Sequence, residues 1–500
     1  MAADLIDDDG WSVSRYFPVF PDKIGWEKPS TLLDQEEEPA GDEALSFLGP
    51  VGEAPEGVLI TAPSSAPLSI PTSDCRLLQG AGAFDELKKV IREITGKEDG
   101  EIKSMIICGW NAGRVQPLLV QLQLVKEKDP GVISFKFGLS VEDCDASIER
   151  LKKGTAFIKE HEPDVILGYG GGAVMDMTKA LGLLGNASFD EIDESVRQIN
   201  AAADTCMPRV RVSVSTRPIP VVLIPTTIGA GAEMTDLCVF KANLATGAPR
   251  RICVDFGSEN NVLRIANDRV ILSDSRLIGP RILYGIHAAH GALMLICRGI
   301  DVLLSLYDQA GHQGVKQAEE AVAGTSEVLM DIYREPRKAS GQTRDPLAYA
   351  QTKVGLAADC AGKLGLVAKL SLAAVDEIID ELYPRCFRAI FIRVTAALLT
   401  KIISLEKDEA CRIFADHVAK AMLVQTPQQA VQRLLRRAED VDVPLLPRLG
   451  LLHRTVPSAA AHAVKAILLE PELSSLEHRL ADETLLQDVL HDAIDQDYEL

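Results

Sequence analysis

The stretch ILGYGGGAVMDMTKA (166–180) decides the fold. PDVILGY (163–169) is a continuous apolar run that ends in Gly170, Gly171 and Gly172, after which a helical pattern begins. A strand apolar on both faces belongs in a parallel sheet covered by helices. Glycines at its end let the backbone approach a ligand, and the free N–H groups of the helix that follows suit a pyrophosphate. Taken alone, three glycines after a strand are also compatible with a simple tight turn. A second segment weighs against that. PTTIGAGAEMTD (225–236) follows another apolar strand and brings a glycine turn, the hydroxyls of Thr226 and Thr227, and the carboxylate of Glu233. Two such turns at the carboxyl ends of parallel strands mark the ligand crevice of an open α/β sheet.

Outward from these motifs, SMIICG (104–109), GVISFKF (131–137) and PVVLIPTT (220–227) read as strands. VQPLLVQLQLVKEK (115–128) and IERLKKGTAFIKEH (148–161) read as helices, the latter with Leu151, Ala156 and Ile158 on its apolar side. Beyond about residue 276 the pattern is helical throughout, as in ILYGIHAAHGALMLICRGIDVLLSLY and in the long stretch from Asp345 to Tyr383. The expected fold is therefore an α/β nucleotide-binding domain with a parallel sheet over residues 71–275, followed by an all-α helical domain over 276–500.

GGGxxxDxxK followed by PTTxGxGxE resembles the iron-containing (group III) alcohol dehydrogenases, which share the dehydroquinate synthase-like fold. LLQGAGAFDELKKV (77–90) looks like that family's first strand and turn, and the C-terminal VPLLPRLGL and ETLLQDVLHDAI look like its closing helices. The resemblance covers roughly residues 75–495. It implies that Gly170, Gly171, Gly172 and Ala173 cradle a pyrophosphate, that Asp176 and Lys179 on the next helix belong to the cofactor-binding residues, and that Thr226 and Thr227 run along the cofactor. Ala173 and Ala232 stand where the family usually has serine. NAD-preferring relatives end their second strand in a pattern like V-T-D, whereas here it ends Ile107-Cys108-Gly109. The missing carboxylate and the nearby Arg114 lean towards NADP over NAD, unless Gly109 only makes a turn.

The resemblance also implies a divalent metal held by one Asp and three His. The matching segments carry Met294 and Arg298 in the first pair of positions and Ser371 and Arg385 in the second. Shifting the first register puts His287 and Gly291 there instead, and the sequence has no histidine between His312 and His417. Methionine and arginine are poor ligands for a hard cation, and arginine stays protonated. No iron or zinc is expected. Two functions remain open. One is a metal-independent NAD(P)-linked oxidoreductase, with Arg298 and Arg385 as fixed charge near a developing alkoxide, His287 or His290 as acid–base group, and a small-molecule substrate. The other is a pseudoenzyme that serves as a binding or structural subunit.

Residues 1–70 differ from the rest. They carry DLIDDD, DQEEEP and a Pro- and Ser-rich stretch, which suit an acidic extension and linker. Trp11 and Trp26, two of the 3 tryptophans, lie there as well, which suits docking on the folded body or on a protein partner. A net charge of −20 disfavours nucleic acid and anionic membranes as partners. The absence of a run of 18 or more apolar residues argues against a membrane span. MAADLIDDDGW matches neither a signal nor a transit peptide, so the cytoplasm is the expected compartment. The 10 cysteines, among them Cys253, Cys297 and Cys360 in apolar surroundings, form no CxxC pair and are expected to be buried thiols. The resemblance implies a homo-oligomer.

Overall fold

Where apolar residues run without interruption, the chain forms buried strands. In the computed structural model, which describes residues 68–72, 75–97, 102–109, 133–141, 146–205, 207, 209–212, 216–244, 249–255, 269–277, 282–309, 311–334, 341–378, 385–470 and 473–496, ten strands are present. They are β1 (Leu68–Thr72), β2 (Cys75–Gln79), β3 (Ile102–Gly109), β4 (Ile133–Val141), β5 (Val165–Gly170), β6 (Arg209–Arg211), β7 (Val221–Pro225), β8 (Leu237–Asn243), β9 (Pro249–Asp255) and β10 (Arg269–Ser273). Seven of them form one sheet in the order β1-β2-β10-β7-β5-β3-β4. Every pairing in it is parallel except β1 with β2. β5 and β7 are buried at every position, as a strand covered on both faces must be.

Helices α1 (Leu87–Thr95), α2 (Ile148–His161), α3 (Gly172–Leu184) and α4 (Phe189–Asp204) accompany the sheet. The helical region then runs through α5 (Ile282–Ser305), α6 (Gln313–Arg334), α7 (Gly341–Ala361), α8 (Leu366–Asp376), α9 (Arg385–Ser404), α10 (Glu409–Ala421), α11 (Pro427–Asp440), α12 (Val456–Leu468), α13 (Ser475–Leu480) and α14 (Glu483–Asp495). Residues 66–500 form one compact unit. The parallel-sheet domain followed by helices is as the sequence predicts.

Several details differ. The sheet starts at Leu68, just inside the stretch assigned to the extension, and its edge strand β1 is antiparallel. Strands β6, β9 and β8 form a separate small sheet that no sequence pattern announced. On α2, Ala156 is exposed while Gly154 and Thr155 are buried, because Gly154 lets Leu181 of α3 lie directly over the backbone. The expected helix from Asp345 to Tyr383 breaks between α7 and α8, where Gly362 has φ +62°. Cys253 and Cys297 are buried free thiols, but Cys360 is exposed, near the end of α7. Ala288–Ser305 of α5 is long and apolar enough to cross a membrane, yet 89% of it is buried inside the fold, so its apolarity serves the core. The predicted helix at 115–128, Arg114, and the N-terminal extension up to residue 67 lie outside the described residues.

Candidate functional site: two glycine turns at the sheet's carboxyl edge

β5 and β7 are neighbours, and their register pairs Gly170 with Pro225 at their carboxyl ends. The two glycine turns therefore leave the sheet side by side. Thr226 N donates to Gly170 O at 2.9 Å, which extends the ladder by one rung into the turns. Gly171 is the residue before α3, and a Cβ placed on it would sit 3.0 Å from Thr227 Oγ1. A side chain there would fill the space between the turns. Most helices here whose first turn begins after Ser, Thr or Asp are capped by that side chain, as α2 is by Ser147 and α4 by Ser188. α3 has no side-chain cap and no acidic residue in its first turn. Its first residue, Gly172, is exposed, and Ala173 is half-buried. Free N–H groups at the positive end of a helix are thus left open to solvent.

Thr226 adds a second open polar group. It is 8% exposed, and its Oγ1 is buried without a hydrogen-bond partner. Burying a hydroxyl unpaired is costly unless something else supplies the bond. Thr227 is half-buried beside Gly171. A dinucleotide phosphate fits this arrangement: a glycine cradle, an uncapped helix and an orphaned hydroxyl converge at one sheet edge.

Asp176 and Lys179, expected along the cofactor, are engaged internally instead. Lys179 Nζ donates to the carbonyls of Ala232, Thr235 and Leu237 at 2.7, 2.9 and 2.7 Å. Those bonds use all three ammonium protons. Asp176 Oδ2 accepts Val239 N–H at 3.0 Å, while Oδ1 lies 3.1 Å from Lys179 Nζ as an electrostatic contact only. Burial pushes the Asp176 carboxyl above its ordinary value, against the pull of Lys179. The pair ties α3 to the chain leaving the second turn, so its role is to hold the turns in place. Gly109 closes β3 opposite Val141 of β4.

Of the residues expected to do chemistry, Arg298 and His290 have described side chains, and both bond within the fold. Arg298 is buried, and its Nη1 donates to Asp301 Oδ2 at 2.5 Å. Asp301 Oδ1 in turn accepts Val367 N–H at 2.9 Å, at the start of α8. Arg298, expected as fixed charge near a developing alkoxide, is thus paired with an internal carboxylate. His290 Nε2 donates to Val441 O at 2.6 Å, and burial lowers its pKa, so the ring is neutral and occupied. The side chains of His287, on α5, and Arg385, the first residue of α9, lie outside the described residues. Met294 is buried in the apolar core, and Ser371 is fully buried with an unpartnered Oγ. Among the described residues, no group of three or more His, Cys, Asp or Glu stands together as metal ligands would. The donor set at Met294, Arg298 and Ser371 does not suit a divalent cation.

Sequence reasoning missed Gln351 of α7. Its Oε1 accepts Gly229 N–H at 2.8 Å and its Nε2 donates to Glu233 Oε1 at 2.8 Å. A polar residue in a helix far along the chain carries no local signal of such a contact.

Residues 75–249 match the family model for iron-containing alcohol dehydrogenase. The described fold overlays an iron-containing alcohol dehydrogenase from Thermococcus thioreducens with a TM-score of 0.62 and 20% identity, covering 85% of this chain and 99% of that one. This chain is similar to the iron-containing alcohol dehydrogenases over residues 75–249 and has their fold. Sulfoacetaldehyde reductase from Bifidobacterium kashiwanohense, solved in complex with NAD+, has the same fold, with a TM-score of 0.63 and 15% identity over 86% of this chain and all of that one (100%). Among curated proteins, the 1-propanol dehydrogenase of Citrobacter freundii is 30% identical over 33% of this chain and 34% of its own length. The sulfoacetaldehyde reductase of Bilophila wadsworthia is 25% identical over 56% and 62% respectively. The chain thus spans less than two thirds of the length of these curated relatives. The NAD-dependent methanol dehydrogenase of Bacillus methanolicus is similar in the same sense, at 26% identity over 45% of this chain and 51% of its own length.

Proposed function

We propose that this iron-type alcohol dehydrogenase relative binds NAD(H) or NADP(H) on its two glycine turns and does so without the family's catalytic metal. The observation that carries this reading is the open α3 N-terminus between Gly171 and Thr227, with the orphaned Thr226 hydroxyl beside it. Gly171 and Gly172 would admit the pyrophosphate, the first α3 N–H groups would bind its charge, and Thr226 Oγ1 would donate to it. Asp176 and Lys179 would keep the turns in register from beneath. A bound nicotinamide would supply or accept a hydride, which makes NAD(P)-linked oxidoreductase chemistry the activity class. Two features support the absence of the metal. Arg298 stands at a ligand position and is committed to Asp301, and Met294 is packed in the core.

The second reading is a nucleotide-binding subunit without turnover. It is favoured by the engagement of Arg298 with Asp301 and of His290 with Val441 O, which ties both side chains into the fold. Calorimetric titration of the full chain with NADPH and then NADH tests the shared part. Micromolar binding of at least one is expected, and binding of neither would end the proposal. Metal analysis of the same protein is expected to find no stoichiometric iron or zinc; a full equivalent of either would overturn the metal-free part. Aldehyde-dependent NAD(P)H oxidation by the metal-free protein separates the two readings, since the pseudoenzyme gives none.

A further inference from the structure

The second glycine turn is held from outside the sheet. Gly231 has φ +74°, and a Cβ on it would lie 2.6 Å from Gly355 Cα of α7, so two backbones meet there without side chains between them. On another side, a Cβ on Gly291 of α5 would lie 2.5 Å from Ile228 O. Between these contacts, the carboxamide of Gln351 makes two polar bonds to the turn, accepting from Gly229 N and donating to Glu233 Oε1. Gln351 is 5% exposed and Glu233 3% exposed, so neither bond is replaced by water at low cost. The amide is suited to this place because it both donates and accepts. Gly229 N–H and Glu233 are thus both engaged from α7, while Thr226 Oγ1 in the same turn is unpartnered.

We propose that Gln351 is a positioning residue for the nucleotide site, setting the 225–231 turn from the helical region without touching the ligand. This inference rests on the nucleotide-binding reading for its functional meaning, though the positioning can be tested apart from it. Gln351→Met keeps the volume and removes both hydrogen bonds. It is expected to weaken binding of NADP+ or NAD+ about tenfold and to speed amide exchange in peptides covering 226–233, with exchange in the β2 and β10 peptides unchanged. Gln351→Glu supplies a pH readout. It places a second acidic group against Glu233, whose carboxyl burial already holds above its ordinary value, and binding weakens at the higher pH where both ionise. As pH falls the two carboxyls share one proton, the donor–acceptor pair is restored, and affinity recovers towards the parent's. A residue that only filled space would tolerate Gln351→Met, which keeps the volume, with parental affinity and exchange. Parental affinity and parental exchange at 226–233 in Gln351→Met would overturn the inference. Should the parent bind no dinucleotide, the functional reading falls, while exchange alone still decides the positioning role: faster exchange at 226–233 supports it, and unchanged exchange refutes it.

Discussion

Two helices of this protein begin after a glycine that offers no side-chain cap, and they are finished in opposite ways. At α8, which follows Gly365, the chain supplies its own anion: Asp301 accepts Val367 N–H and is neutralised by Arg298, all three out of water. At α3, which follows Gly171, nothing fills the positive end, Gly172 faces solvent and Thr226 Oγ1 waits unpaired. The same physics, backbone N–H groups and a helix dipole that favour negative charge, is satisfied internally in one place and left open in the other. The α8 end is closed by groups of the fold itself, while the α3 end keeps an unpartnered hydroxyl beside it. Elsewhere in the helical region the closure is just as complete. Lys363 and Glu477 are 2.7 Å apart and almost fully buried, with Ser305 Oγ and Ser474 N both donating to the same carboxylate.

The comparison can be broken at either end. The largest effect is expected from Asp301→Ala, which uncovers the α8 N-terminus and strands the buried Arg298. Removing one partner of a buried pair costs about 3–5 kcal/mol, read as a lowered denaturation midpoint; a loss below about 1 kcal/mol would mean the pair is not what closes that end. Gly171→Asp should convert α3 into a second closed terminus. The new carboxylate caps the helix and occupies the phosphate position, so dinucleotide affinity falls at least about 100-fold, or ~2.7 kcal/mol, while thermal stability holds or rises through capping. Retained affinity would show that the ligand, if any, sits elsewhere.

A smaller effect is expected at Asp376, whose Oδ1 pairs with Arg251 Nη1 at 2.9 Å across the join between α8 and β9. Burial pushes this carboxyl up to about 6, against the opposing pull of Arg251. Since the folded protein holds this proton more tightly than the unfolded chain, the Asp376 contribution to stability is greatest at acid pH and falls as pH rises from about 4 to about 6. Asp376→Asn should remove that slope, a change on the order of 2 kcal/mol in the difference between pH 4 and pH 7 unfolding free energies. An unaltered slope would place the titration in other groups. The smallest effect is Thr226→Val, which deletes the orphaned hydroxyl. Nucleotide binding should weaken roughly fivefold, about 1 kcal/mol, with unchanged or slightly higher stability; a loss of stability instead would mean the hydroxyl is satisfied within the fold.

Much of this was legible in the sequence. The apolar runs at 165–170 and 221–225 and the glycines after them announced the strands and the turns, because burial on both faces and close backbone approach leave local signatures. The missing histidines were equally plain. Less legible was the destination of the charged residues. Arg298 looked like a free cation and Lys179 like a cofactor contact, and both are consumed by groups brought to them by folding. The small β6-β9-β8 sheet and the exposed Ala156 also escaped, since short strands and small residues give weak periodicity.

The sequence by itself determined the α/β and helical halves, the two glycine turns, and the poverty of metal donors at Met294, Arg298 and Ser371. Only the tertiary structure decided that the turns lie side by side, that Asp301 answers Arg298 while nothing answers Thr226, and that Gln351 reaches across from α7 to hold Gly229 and Glu233. The reason is physical: propensity and patterning act over a few residues, whereas the pairing of a buried charge or amide is settled by whichever distant group the packed core carries to within three ångströms of it.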